Sequence, residues 1–489
     1  MIFSIMESLQ IWRNARIFQY LAMVTGTLSI VSSGMHYGWS SPSLPILQDP
    51  SSTLPVTNDE GSWLAVMPLI GASIGSLIGS VILDRIGRKK AVLLTGIPFF
   101  SAWLMVAFAR TVPVLLFARF LAGIGDGLAF CAIPMYLNEI ADPEIRGFIG
   151  SSCAITLILG MLLINIIGSY TSIRSAALVS SIVPVLLMMT FAWMPESPYY
   201  FIMQGDEEEA RRSLKTLKGT DDVNDELARL SAAIKTQNTD TGKFLDLFTV
   251  KSNRKAGLIV MGARTIQQCS GMLAIGFYAH TIFESAGSTF SSSTASIIYF
   301  TVQLVLSFIS SMIVDRTGRR PLLIISIIGA GIALFIEGFY FYLKMDCPSL
   351  NVSNYSYIPI VALIAFVTFF SIGLQTVPML LLGELFSTNV KAFALSVSDV
   401  HFNIVATLVS KFFQAIKDSY GIHIPFFAFA VSCAVGLIFV IFCVPETKGK
   451  TLEKIQEELQ GKTTKDDSRQ VEILKKIVVE TIDICNTQK

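Results

Sequence analysis

Twelve predominantly apolar stretches of roughly twenty residues punctuate the chain, near 17–37, 63–83, 91–109, 112–135, 148–169, 175–194, 257–282, 294–314, 322–343, 357–382, 392–415 and 424–444. Each is long enough to cross a hydrocarbon core of about 30 Å as a helix. In lipid a helix satisfies every backbone N–H and C=O within its own segment. The expected fold class is therefore an all-α membrane protein. Composition agrees, since 52% of the 489 residues are hydrophobic and only 15% charged, where soluble domains average about 25% charged. Lys plus Arg (37) nearly balances Asp plus Glu (36), so no basic surplus points to nucleic acid. The first stretch has no small-residue cleavage site and many spans follow it, so it is expected to be retained.

The basic residues fall in alternate loops: Arg85, Arg88, Lys89 and Lys90 after span 2, Arg146 after span 4, the 195–256 loop after span 6, and Arg316, Arg319 and Arg320 after span 8. The positive-inside rule makes these loops and both termini cytoplasmic. Two glycosylation sequons, at Asn351 and Asn354, fall in the loop between spans 9 and 10, which the same count places outside. Of the seven cysteines only Cys347 is expected outside, so no extracellular disulfide forms within one chain.

The charges between spans repeat. Asp84-Arg85-Ile86-Gly87-Arg88-Lys89 follows span 2, and Asp315-Arg316-Thr317-Gly318-Arg319-Arg320 follows span 8. Glu139 precedes Arg146 by seven residues as Glu384 precedes Lys391, and Pro195-Glu196 closes span 6 as Pro445-Glu446 closes span 12. Landmarks in one order at offsets of 231, 245 and 250 residues indicate two six-helix halves of parallel topology. The expected division is 1–194, a linker 195–256 with short helices, 257–444, and a tail 445–489. Such halves suit a transporter that rocks about a midplane site.

With Arg119-x3-Gly123-x-Gly125-x-Gly127, Pro195-Glu196-Ser197-Pro198, Gln267-Gln268-Cys269-Ser270-Gly271 and Pro445-Glu446-Thr447-Lys448-Gly449, the chain from about 34 to 455 resembles the sugar porters of the major facilitator superfamily. Gly38-Trp39-Ser40-Ser41-Pro42 is most similar to the insect facilitated trehalose and hexose transporters within it. The resemblance implies a plasma-membrane carrier of small neutral sugars, with a small cytoplasmic helical bundle. It also implies that Asp84, Arg85, Arg88, Glu139 and Arg146 in one half and Asp315, Arg316, Arg319, Glu384 and Lys391 in the other form a cytoplasmic gate. The charges alone allow a second role, that of orienting loops.

An amide in hydrocarbon must find a partner or face a wet cavity. Gln267, Gln268, Ser270 and Gln303 are such residues, and the resemblance assigns the glutamines to sugar hydroxyls; helix–helix contact is the alternative. Tyr278 can add a hydroxyl and a ring face. The family's other site residues are missing, its span 5 glutamine falling at Ala154, its span 7 asparagine at Leu273, its span 10 Pro-x-Pro-Trp at Thr376-Val377-Pro378-Met379, and its span 11 Asn-Trp at Phe402-Asn403. Asp126 and Asp399 are candidate substrate contacts or proton carriers, although the acid that proton-coupled relatives carry in span 1 is replaced by Ser40. Facilitated diffusion is the leading expectation, with a proton-coupled symporter or a transport-inactive sugar sensor as alternatives. No catalytic triad, metal motif or phosphate-cradling loop appears, so neither an enzyme nor a cofactor is expected.

Overall fold

The computed structural model describes residues 16–142, 144–220, 222–239, 245–287, 290–346, 355–386, 388–450 and 452–460. Among them eleven helices are long and apolar enough to cross a membrane: Arg16–Gln48, Asn58–Ile86, Arg88–Phe108, Val112–Ile140, Arg146–Tyr170, Ile173–Phe191, Ser292–Ser310, Arg319–Asp346, Ile358–Leu385, Phe393–Tyr420 and His423–Cys443. They correspond to the expected spans 1 to 6 and 8 to 12. The sequons at Asn351 and Asn354 and the tail beyond 460 lie outside the described residues.

Span 7 departs from the expectation of one helix over 257–282. It runs as three pieces, Lys251–Cys269, Met272–Phe277 and Ala279–Ala286. Its first piece touches helix Leu452–Gln460 and its last touches the end of span 1, so the three together run the length of the bundle. The cause is local. Arg264, Gln267, Gln268 and Ser270 dilute the apolar run, and Gly271 takes the left-handed conformation at φ 80°. A Cβ there would lie 2.2 Å from the Phe429 ring of span 12, so only glycine fits. Span 1 departs in the other direction, continuing helically to Gln48 although its apolar run ends near 37. Ser40, Ser41 and Ser43 in this extension are buried against protein and not lipid.

Close approach of backbones holds the first six spans. A Cβ on Gly123 would sit 2.1 Å from the Pro68 carbonyl oxygen, and one on Gly160 would sit 2.2 Å from that of Val31. Spans 2 and 4, and spans 1 and 5, therefore pack with glycine at the seam, as helices do where lipid supplies no hydrophobic drive. Between spans 6 and 7 lie the expected short helices, Pro198–Gln204, Glu207–Lys218, Asn224–Thr239 and Asp246–Thr249. The Asp206 side chain accepts from the Glu209 N–H to start the second of these, and Ala210, Leu214, Val223 and Leu227 bury a small core of their own. Lys218 ties this bundle to the main body through Asp142, at 3.2 Å.

The repeated motifs fold alike. Gly87 and Gly318 adopt φ 95° and 103°, as the tight reversals after spans 2 and 8 require. Spans 3 and 9 start directly afterwards, and their first N–H groups have no intrahelical acceptor. Glu196 accepts from Lys89 N at 2.9 Å, and Glu446 accepts from Arg319 N and Arg320 N, each at 3.1 Å. A carboxylate on a helix N-terminus is favoured by both hydrogen bonding and the helix dipole.

Candidate functional site

Beside these clamps the charges expected to form a gate pair within their own six spans. Arg88 Nε donates to both Glu139 oxygens at 3.1 Å and its Nη1 lies 3.1 Å from Asp84; the Ser197 hydroxyl completes Glu139. In the second repeat Arg319 Nη2 lies 2.9 Å from Glu384, whose other oxygen accepts from Thr447 Oγ1 at 2.5 Å. Arg146 and Lys391 donate to backbone carbonyls of Ala141 and Gly383 at 3.1 and 3.0 Å. Arg85 contributes its carbonyl to Tyr200. The helix passes through Asp315 and Arg316, whose side chains lie outside the described set.

Hydrogen bonds join the first six spans to the last six at the opposite end. Lys411 Nζ reaches Asp59 at 2.8 Å and the Ser62 hydroxyl at 2.6 Å, and lies 4.2 Å from the centre of the Trp63 ring. His280 N donates to Ser41 Oγ at 3.3 Å, and Tyr37 stacks on Phe277 at 6.1 Å. The bundle is thus latched at the end away from the charged motifs.

Between these ends lies a chain of amides. Gln267 Nε2 donates to the Gln375 carbonyl at 3.1 Å, Gln375 Nε2 to Ser307 Oγ at 3.0 Å, and Ser307 to the Gln303 carbonyl at 2.8 Å. Spans 7, 10 and 8 are so joined through polar side chains. The side-chain Oε1 atoms of Gln267, Gln268, Gln303 and Gln375 are nevertheless buried without a partner, the carbonyls just named being those of the backbone. A buried amide left half satisfied costs about 1–3 kcal/mol, so four such groups in one region are what a hydroxyl-bearing ligand can relieve. Ser270 spends its hydroxyl on the Gln267 carbonyl at 2.7 Å. Tyr278 is buried, stacked on Phe413 at 5.3 Å, with its hydroxyl unpartnered.

Two residues that the apolar pattern alone did not single out belong to this region. Gln375 sits in the non-helical break between Ile358–Ile372 and Val377–Leu385; the signal was an amide next to a Pro-containing interruption. Arg264 sits one turn before Gln267 and forms an ion pair with Asp399 at 3.2 Å. The other candidate acid, Asp126, accepts from Ser33 and from Tyr37 OH, the latter at 2.7 Å. Arg119 does not meet a carboxylate; it donates to the Leu64 and His36 carbonyls and to Ser40 Oγ, at 3.1, 2.6 and 3.2 Å.

Comparison with known proteins gives the family and the fold. The profile of the family described as sugar (and other) transporter matches residues 21–459. The chain is 35% identical over 450 residues to the facilitated trehalose transporter Tret1 of Polypedilum vanderplanki, covering 91% of this chain and 88% of that one. It is equally identical to Tret1 of Drosophila grimshawi, of which it covers 48%, and 34% identical to that of Aedes aegypti, of which it covers 55%. The chain thus spans about half the length of several of these relatives. Among solved structures, the inward-open xylose transporter XylE from E. coli superposes with a TM-score of 0.75 at 22% identity, over 90% of this chain and 99% of that one. The proton:xylose symporter XylE bound to 6-bromo-6-deoxy-D-glucose superposes with a TM-score of 0.73 at 22% identity and the same coverage. Family profile and fold converge, and the chain is a multi-pass membrane protein of the sugar transporter family with the major facilitator fold.

Proposed function

We propose that this protein carries a small neutral sugar, trehalose or a hexose, across the plasma membrane by alternating access, as a facilitated carrier and not as an enzyme. The observation that carries the reading is the set of glutamines on spans 7, 8 and 10, of which Gln267 and Gln375 donate within the protein while the side-chain oxygens of Gln267, Gln268, Gln303 and Gln375 are open. Such a set suits hydroxyls, which donate to the open amide oxygens, and it carries no charge of its own. Glutamines 267, 268 and 303 are the primary contacts, with Ser270 shaping the break beside them and Tyr278 closing the outer side.

Facilitated diffusion is supported by how the intramembrane charges are held. Ser40 gives Arg119 a hydroxyl where a proton-coupled relative has an acid, while Asp126 and Asp399 are each occupied by donors of this chain. The halves 1–194 and 257–444 are the moving bodies, joined by 195–256, with 445–489 as tail. The motif end is cytoplasmic, as are the termini, and Asn351 and Asn354 are glycosylated outside. In the conformer described the outer end is latched and the cytoplasmic charges pair within each half, so this is a state that releases sugar inward. Cross-half pairs of Arg146 and Lys391 with Glu384 and Glu139 form when that end shuts. The test is saturable uptake of labelled trehalose, glucose and fructose by purified protein in liposomes. Absence of saturable uptake of all three contradicts the proposal.

A further inference from the structure

We propose that the Arg264–Asp399 ion pair is a second hydroxyl-binding element of the same site, taking two adjacent hydroxyls of the sugar. This assignment rests on the sugar-carrier reading above. Arg264 lies three and four residues before Gln267 and Gln268, so it is on their face of the helix and about 5 Å further along it. Asp399 lies on span 11, which packs against span 2 of the first six. The pair is thus largely buried on a span that borders the other half.

An ion pair inside a membrane bundle is costly, and hydrophobic replacement of a buried pair is often neutral or stabilising. Its bonding capacity is also far from used. The guanidinium has five N–H donors, yet Nη2 alone is engaged, with Asp399 Oδ1 at 3.2 Å and Met379 Sδ at 3.1 Å. Arg264 Nε is buried with no partner, and the guanidinium carbon lies over the Phe402 ring, 5.0 Å from its centre. Asp399, a fifth exposed, makes its described hydrogen bond through Oδ1. The neighbours are telling. Met379 and Phe402 stand where the resemblance places a tryptophan and an asparagine, and Ala154 and Leu273 supply no hydroxyl partner. The pair thus restores, as charge-assisted hydrogen bonds, contacts that those positions lack. Its two charges cancel, which suits a neutral diol: one hydroxyl accepts from the guanidinium, the other donates to the carboxylate.

The experiment measures uptake of the transported sugar and its monodeoxy analogues by wild type, Arg264→Gln, Asp399→Asn and the double variant in liposomes. Each variant should raise KM about ten-fold with maximal rate nearly unchanged, as expected for loss of a charge-assisted hydrogen bond. One or two monodeoxy sugars should be about ten-fold poorer substrates for wild type yet lose nothing further in the double variant. If a single variant misfolds because one charge is left unpaired, the double variant, which buries none, carries the test. A wild-type KM in the double variant, or the same deoxy penalty in both proteins, overturns the assignment while leaving the carrier reading intact. If wild type transports no sugar, the carrier reading fails and the assignment fails with it.

Discussion

At the scale of single residues, the account turns on which polar side chains in the spans have no partner of their own. Gln268 keeps an unpartnered oxygen and stands beside the break at Gly271. Gln268→Ala should raise the KM for the sugar several-fold, about 1 kcal/mol for one hydrogen bond, and Gln303→Ala should do so less; kinetics in liposomes with surface expression as control check both. Normal transport in both variants, or failure of both to reach the membrane, would make them helix contacts. Gly271→Ala acts differently, since it forces a left-handed residue to carry a Cβ against Phe429. It should lower the Tm of the purified protein, at a cost of at least about 1–2 kcal/mol. The glutamines were legible because an amide stands out in an apolar run. The role of Arg264 was not, because its counterion is 135 residues away and sequence spacing says nothing about a pair across spans.

Helices and their ends carry the next layer. The Pro-Glu motifs read as span-closing landmarks in the sequence, but what they do became visible only when Glu446 was seen on the N-terminus of span 9. Burial alone would push the Glu446 carboxyl up. Hydrogen bonds from the N–H groups of Lys448, Arg319, Arg320 and Thr447 outweigh it and hold the group below the usual carboxylate range. The stabilisation from a depressed carboxyl is complete above its unfolded value and is lost as pH falls through the folded one. Glu446→Gln should therefore lower the Tm at pH 7, and the gap from wild type should narrow as the pH drops below about 4.5. A gap independent of pH would mean that the charge contributes nothing. Hydropathy reads a helix as though lipid surrounds it, so the serine-rich end of span 1 extends beyond the expected 17–37, and the span expected as one helix over 257–282 is three pieces.

For the whole molecule, the twelvefold apolar pattern and the duplicated charges made the fold legible, while the conformer was not, because both ends of a rocking carrier use the same residues in different pairs. The latch of Lys411 with Asp59 and Ser62 belongs to the conformer described. A contact made in one state only shifts the balance when removed. Lys411→Gln should populate the opposite state and reduce labelling of an engineered cysteine beside Glu384 at the motif end; unchanged labelling would mean that the latch does not hold the state. The central claim is that a neutral sugar equilibrates across the bilayer through the amide site without a coupled proton. Its most direct test is labelled sugar uptake into protein-loaded liposomes, with and without an imposed pH gradient. The account predicts saturable uptake that stops at equal concentrations on both sides and ignores the gradient. Accumulation above the outside concentration that collapses with a protonophore, and is lost in Asp126→Asn or Asp399→Asn, would contradict it.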